Sequence, residues 1–173
     1  SNRFELQFNF LHKNPQVSLV GGQIEEFEGS INNIISKREV PETDIQIKEY
    51  LKYRCPINQM TVMFRKDKVL EAGGYLDWFC NEDYYLWIRM TLNNNRFHNL
   101  RETLVKFRVD INMYKRRGGL KYFKSEFEIQ KLMKKKGLIT FYRFSLNIII
   151  RFIIQILMPP EIRKIIFLKL ARK

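Results

Sequence analysis

Glu82 and Asp83 are adjacent carboxylates at the start of an amphipathic helical pattern, in the stretch NEDYYLWIR. Asn81 is a favourable N-cap residue, and acidic residues in the first turn stabilise a helix by about 0.3–1 kcal/mol through its dipole. Neighbours on a helix point about 100° apart, so the two carboxylates cannot flank one bond as cooperating acid and nucleophile. One of them can instead act as a single general base toward a hydroxyl, beside the glycine-containing loop at residues 73–75. On residue types alone, helix start and general base both stay open.

Alternating strand and helix patterns must position these residues. The first 112 residues predict strands over 17–22, 60–64 and 97–109, and helices over 43–53, 65–72 and 81–92, after an opening helix that stops near Asn14-Pro15. Residues 25–42 are predicted to form a loop or edge element. Strands alternating with helices indicate an α/β layer architecture.

The length of 173 residues and the hydrophobic content of 45% predict one globular domain with an additional segment. Cys55 and Cys80 form no CxxC pair, which argues against structural zinc and a disulfide framework, so we expect buried thiols in a reducing compartment. His12 and His98 fit no compact zinc motif. No secretory signal pattern is visible at the start of the chain.

The net charge of +13 comes entirely from residues 113–173, which hold 16 basic and 3 acidic residues. A basic helix is predicted over residues 120–136, followed by an apolar stretch over residues 138–158. Polar residues recur every four positions in that stretch, at Arg143, Asn147, Arg151 and Gln155. Residues 161–173 repeat the mixture of basic and aliphatic residues.

Three interpretations of this basic, amphipathic extension stay open. It can lie in the headgroup region of an anionic membrane, it can pack on the body of the protein, or it can bind nucleic acid. Charges that alternate with large aliphatic residues at helical spacing favour the membrane over nucleic acid. Two arginines near the middle of residues 138–158 make crossing the bilayer less favourable than lying at its surface.

Several motifs in a fixed order resemble the second half of family 2 glycosyltransferases with the GT-A fold. They are CPINQMTVMFRKDKVLEAGGY, then EDYYLWIR, then NNRFHNLRETLVKFRV, and the resemblance covers residues 3–110. It implies a partial, Rossmann-like mixed sheet with flanking helices over residues 1–112, and a membrane-associated helical extension over residues 113–173.

The resemblance also implies an inverting transfer of a sugar from a nucleotide-sugar donor to an acceptor hydroxyl, in polysaccharide or glycan biosynthesis. By that carry-over Asp83 is the general base and Glu82 is its neighbour in the acceptor site. Trp87 would brace the helix or the acceptor pocket. The loop near donor phosphate and acceptor would be shaped by Gly73, Gly74 and Tyr75.

Arg116 or Arg117 would meet the donor diphosphate, because a guanidinium can offset leaving-group charge. Alternatively, both arginines belong to a run of basic residues that is exposed to solvent and binds no diphosphate. The chain also departs from the family, which often has a His-Pro pair where Gln59-Met60 stands here. A polar contact made by that histidine is then absent or made by the glutamine.

The family's Asp-x-Asp segment, which binds a divalent metal (Mg or Mn) and the donor diphosphate, has no counterpart in these 173 residues. We therefore expect an acceptor-side half that is inactive alone, with an exposed sheet edge that favours association into a homo-oligomer. The expected partners are a nucleotide sugar, a glycan or lipid-linked acceptor and an anionic membrane at the cytoplasmic face. A non-catalytic membrane- or protein-binding module is the main alternative, and a nucleic-acid-binding domain is a further one.

Overall fold

The computed structural model describes residues 2–170 as a mixed sheet with helices packed around it. The strands are β1 (Leu19–Phe27), β2 (Ile34–Arg38), β3 (Met63–Phe64) and β4 (Phe97–Arg108). The helices are α1 (Asn2–Lys13), α2 (Asp44–Leu51), α3 (Lys66–Glu71), α4 (Glu82–Leu92), α5 (Ile111–Arg116), α6 (Leu120–Lys135), α7 (Phe141–Phe152) and α8 (Pro160–Leu170). A π-helical turn over Ile153–Leu157 continues α7. The predicted α/β class, with a helical C-terminal extension, is confirmed.

Strand β1 is the centre of the sheet and pairs with the other three strands. It runs parallel to β4 along its whole length. It is antiparallel to β3 at Leu19 and Val20 and antiparallel to β2 from Ile24 to Phe27. Because a strand has two edges, β2 and β3 share the one opposite β4. Central, parallel pairing requires burial on both faces, and eight of the nine β1 residues are buried.

The main core lies where α4 packs on the sheet and on α6. Five large side chains of α4 are almost completely buried there, namely Tyr84, Leu86, Trp87, Ile88 and Met90. Ile129 and Met133 of α6 join the same cluster. At roughly 1.5–3 kcal/mol for each large buried apolar side chain, this packing fixes the start of α4 against the sheet.

Most predicted elements are confirmed, including α1, α2, α3, α4 and β4. Thr43 caps α2 through a capping box with Gln46. Gly73 and Gly74 follow α3 with positive φ values of 85° and 64°.

Two strand predictions were wrong in extent. Strand β1 continues through Phe27, into the segment predicted to be a loop or edge element, because its acidic Glu26 is buried and accepts a hydrogen bond from Ser36 Oγ at 2.8 Å. Strand β3 is only two residues long, because residues 59–61 form a 3₁₀ turn. In that turn the Thr61 hydroxyl donates to Asn58 O at 2.7 Å and accepts from Gly22 N–H at 3.0 Å.

Two side-chain predictions were also wrong. Asn81 precedes α4 but makes no capping hydrogen bond, because its amide donates to Ser125 Oγ of α6 at 3.0 Å instead. Cys80 is exposed rather than buried, and its positive φ of 57° belongs to the turn before α4.

The C-terminal helices pack on the body, and α7 does so through its polar side. Asn147 Nδ2 donates to Gln130 Oε1 at 2.8 Å and to Lys52 O at 2.9 Å. Arg151 Nε donates to Glu126 Oε2 at 2.6 Å. Within residues 2–170, no helix combines the length and the apolar character needed to cross a bilayer. The domain boundary at residue 112 stays a prediction.

Candidate active site

Helix α4 brings Asp83 and Glu82 to one side of the molecule. Its buried face holds the helix in place, and both carboxylates occupy its first turn, where the dipole favours negative charge. Glu82 and Asp83 are both partly exposed.

Asp83 has a defined hydrogen-bond environment. Its Oδ1 accepts the backbone N–H of Tyr84 at 2.7 Å, and its Oδ2 accepts the thiol of Cys55 at 3.7 Å. Burial raises the pKa of Asp83 above its ordinary value, and the charge of Glu82 adds to this, while the Tyr84 N–H and Arg38 oppose it. A partly buried carboxylate with a raised pKa is a stronger base than a solvated one.

Asp83 lines a cavity of about 350 Å³ between α4, α6 and the C-terminal helices. The wall contains four arginines and a group of isoleucines. The lining side chains most relevant to chemistry are Arg38, Arg54, Arg117, Arg151, Ile150, Ile154 and Ile166. A pocket with a candidate base, a cationic wall and an apolar wall suits an anionic ligand that also carries a hydrocarbon part.

The loop at residues 73–75 is held by α4. Arg89 donates to Gly74 O at 2.6 Å and to Ala72 O, and its guanidinium lies 4.4 Å from the centre of the Tyr85 ring. A Cβ on Gly73 would lie 2.9 Å from Arg89 Nη1, so the loop approaches the arginine closely. Arg89 therefore couples the shape of the loop to the helix that carries Asp83.

Tyr75 stands at the end of this loop, and its side chain is 44% exposed. Burial raises the pKa of Tyr75, and the negative charges of Asp83 and Glu82 raise it further. A hydrogen bond from the Gln59 side chain lowers this pKa. The glutamine that replaces the family's histidine thus contacts the glycine-loop tyrosine. Tyr75 is close enough to Asp83 for the carboxylate charge to favour the neutral phenol by raising its pKa.

Trp87 is completely buried and meets the Tyr75 ring edge to face, with ring centres 6.2 Å apart. It lies beneath the loop and does not line the cavity, so its position suits bracing of the helix. Only one of the two arginines predicted to contact a diphosphate lies at the cavity. Arg117 lines the cavity with Asp83, whereas Arg116 is exposed and does not line it.

The described residues offer no metal centre. Among residues 2–170, no three His, Cys, Asp or Glu side chains come together so as to hold an ion. The divalent metal that the resemblance implies does not fit the residues present here.

Sequence reasoning missed most of the cavity wall. Arg38 comes from β2, Arg54 and Cys55 follow α2, and Arg151 comes from α7, so their proximity depends on tertiary packing. The four-residue spacing of the polar stripe in residues 143–155 was the available signal for Arg151. For Cys55 the signal was a thiol directly before a proline.

Comparison with known proteins relates the chain to bacterial glycosyltransferases. It is 39% identical over 137 residues, 79% of its length, to a Haemophilus influenzae protein named "Uncharacterized glycosyltransferase". Over its full length it is 34% identical to an Escherichia coli UDP-Gal:alpha-D-GlcNAc-diphosphoundecaprenol beta-1,3-galactosyltransferase. It is 32% identical over 170 residues, 96% of its length, to the amylovoran biosynthesis glycosyltransferase AmsE of Erwinia amylovora.

The aligned regions cover 51% of the Haemophilus protein and 62% of each of the other two, so the chain spans between half and two thirds of the length of these relatives. No protein-family model matches the chain. These relatives are nevertheless all named glycosyltransferases, and the Erwinia protein is named for amylovoran biosynthesis.

Proposed function

We propose that the chain is the acceptor-side part of an inverting, family 2, GT-A-type glycosyltransferase that moves a sugar from a nucleotide-sugar donor to an acceptor hydroxyl. The observation that carries this proposal is the position of Asp83 on the wall of the 350 Å³ cavity, in a chain whose relatives are named glycosyltransferases. An α/β body with a mixed sheet is compatible with that fold. The proposed site of action is the cytoplasmic face of a membrane.

Asp83 is the general base in this reaction. Its carboxylate takes the proton of the acceptor hydroxyl while the acceptor oxygen forms a bond to the anomeric carbon of the donor sugar. The bond from that carbon to the donor diphosphate breaks on the opposite face, and its electron pair leaves with the diphosphate. One displacement of this kind inverts the anomeric configuration. Glu82 helps through its charge, which adds to the raised pKa of Asp83.

The acceptor proposed for the cavity is a glycan linked to a lipid through a diphosphate, the class of acceptor in the name of the Escherichia coli relative. Arginine is well suited to phosphate recognition because its planar guanidinium can form two parallel hydrogen bonds. Arg38, Arg54 and Arg117 line the cavity with Asp83, and Ile150 and Ile154 supply an apolar side. The cavity therefore has the two chemical characters that such an acceptor combines.

The relatives contain a part that the alignments with this chain do not cover. We assign donor binding to the corresponding part of a complete transferase. The metal implied by the resemblance would belong to that part, and no step described here passes through it. The prediction that the 173 residues alone transfer no sugar follows from the same assignment. A measurable transfer from any nucleotide sugar by the purified chain would contradict it.

A transfer assay with the complete transferase tests the proposal. Radiolabelled nucleotide sugars are supplied with an N-acetylglucosaminyl diphosphate carrying a polyprenyl chain, with the same diphosphate carrying a methyl group, or with neither. We expect acceptor-dependent incorporation, inversion at the anomeric carbon by NMR, and faster transfer to the lipid-linked compound. No incorporation from any donor would favour the non-catalytic binding module.

A further inference from the structure

Helix α7 and the π-helical turn that follows it show an inverted pattern of exposure, with polar side chains facing the protein and apolar side chains facing outward. Asn147 and Gln155 are buried, whereas Ile149, Ile153 and Leu157 are 58%, 45% and 62% exposed. The two sets are offset by two residues, about 200° around a helix, so they occupy opposite sides.

The inward side is fixed by specific contacts. Arg151 pairs with Glu126 at 2.6 Å and also donates to Tyr53 O at 2.6 Å. Asn147 bridges α6 and the backbone of Lys52. These contacts hold Asn147 and Arg151, the middle of the polar stripe, against the body, and the outward side remains apolar in the folded protein.

The outward apolar face extends along the whole of α7 and the following turn. Seven large side chains that are at least 43% exposed form it: Phe141, Tyr142, Ile149, Ile150, Phe152, Ile153 and Leu157. Contiguous exposed apolar surface of this kind marks an interaction site, since scattered exposed residues would not align on one side of one helix.

A basic border lies beside this apolar face. Phe127 of α6 contacts Phe144 of α7, with ring centres 5.7 Å apart, and Lys124 and Lys131 lie on the same side of α6 as Phe127. Lys134 continues that side, with its ammonium 4.7 Å from the centre of the Phe141 ring. The lysines are exposed. An apolar strip bordered by lysines is complementary to an anionic bilayer surface.

We propose that the outer face of α7 and its π-helical turn docks on an anionic lipid bilayer, with the helix lying flat in the headgroup boundary and the α6 lysines contacting lipid phosphates. A second protein copy would match the apolar strip but not the like-charged border, and a nucleic acid would match the border but not the strip.

Docking in this orientation has a consequence for the candidate active site, which rests on the proposed function. Ile150 is 45% exposed and also lines the cavity that contains Asp83, so the apolar wall of the cavity continues into the docking face. A lipid-linked acceptor could then pass its diphosphate to the arginine wall while its hydrocarbon chain stays in the bilayer.

Vesicle flotation of the 173-residue chain tests the docking. The vesicles contain either neutral phosphatidylcholine alone or phosphatidylcholine with 30 mol% phosphatidylglycerol, and binding is measured at low and high salt. We expect binding to the anionic vesicles that weakens with salt. The double variant Ile149→Gln, Ile153→Gln should weaken it more than tenfold, and Lys124→Gln, Lys131→Gln by roughly 25-fold, since each cation near such a surface contributes about fivefold.

Matched controls separate docking from general effects. Ile45→Gln, Leu70→Gln removes two exposed apolar side chains of α2 and α3, which are 77% and 61% exposed, and Lys13→Gln, Lys66→Gln removes two exposed lysines elsewhere. Both controls should bind as the wild type does. Equal flotation of the α7 and control variants would overturn the proposal, as would a wild-type chain that stays unbound or binds RNA in preference to vesicles. None of these measurements requires sugar transfer, so failure of the docking is distinguishable from failure of the proposed reaction.

Discussion

The Cys55 thiol donates a hydrogen bond to Asp83 Oδ2 across 3.7 Å. Burial and the neighbouring Asp83 charge raise the pKa of Cys55, so the thiol keeps its proton at any pH relevant to function. Donation to the charged form of a carboxylate stabilises that form, and the Cys55 contact accordingly lowers the pKa of Asp83 against the effect of burial. Cys55 is a positioning residue for the candidate base.

Replacing this thiol should shift the pH dependence of sugar transfer. In Cys55→Ala the pKa of Asp83 rises, because the charged carboxylate loses a donor. The acidic limb of the kcat/KM profile of the complete transferase should therefore move to higher pH. Cys55→Ser keeps a donor at this position and should leave the limb near its wild-type place. An unchanged limb in Cys55→Ala would remove Cys55 from the site.

Asp83 should lower the stability of the protein near neutral pH. A carboxyl whose pKa is raised on folding holds its proton more tightly in the folded state, so its stabilising contribution is present below pH 3.8 and lost as pH rises through the folded pKa. We expect Asp83→Asn to raise the free energy of unfolding at pH 7 by about 0.5–1 kcal/mol. Urea unfolding at pH 4 and pH 7 measures this, and the gain should be smaller at pH 4. A loss of stability at pH 7 would show that Asp83 is needed for the fold.

The Glu126–Arg151 pair should be essential for holding α7 on the body. Both side chains are nearly buried, at 8% and 11% exposure, so Glu126→Gln leaves a buried guanidinium without its counter-charge. We expect a loss of about 3–5 kcal/mol in the free energy of unfolding. The exposed pair Arg101–Glu42, also 2.6 Å apart, provides the comparison, and Arg101→Gln should leave stability nearly unchanged. Similar losses in the two variants would contradict the assigned role.

Alanine substitutions at Gly73 and Gly29 distinguish two effects, the steric contact with Arg89 and the backbone strain of a positive φ. Gly73 and Gly29 have φ values of 85° and 71°, but only a Cβ on Gly73 meets another atom within 4 Å. Alanine at either position should cost about 1–2 kcal/mol for the backbone conformation. Gly73→Ala should additionally displace Arg89 and lower sugar transfer, whereas Gly29→Ala should not. Thermal unfolding and the transfer assay together distinguish the two effects.

The sequence was informative wherever local chemistry decides the structure. The helix start at Thr43, the glycine-containing loop after α3 and the apolar face of α4 each depend on contacts within a few residues, and all appear as predicted. The full length of β1 could not be predicted, because the buried Glu26 is held by a bond to Ser36 on a neighbouring strand, which spacing along the chain does not reveal.

The orientation of α7 was the least predictable feature. Membrane binding and packing on the body were both left open for this helix, but the sequence did not predict that its polar stripe would contact Glu126, Gln130 and the backbone carbonyls of Lys52 and Tyr53. Those partners lie 17 to 98 residues away along the chain, so spacing alone could not reveal them. The candidate base, by contrast, was predicted from the motif around residue 83, while the arginines around it required the fold.

The most direct test of the central claim is the rate of sugar transfer by the complete transferase carrying Asp83→Asn, with Glu82→Gln as the matched neighbour. General-base catalysis contributes roughly 10²- to 10⁴-fold, so Asp83→Asn should reduce kcat by at least 100-fold while donor binding and the far-ultraviolet CD spectrum stay unchanged. Glu82→Gln should reduce it much less. An Asp83→Asn enzyme that retains wild-type turnover would contradict the assignment of Asp83 as the base.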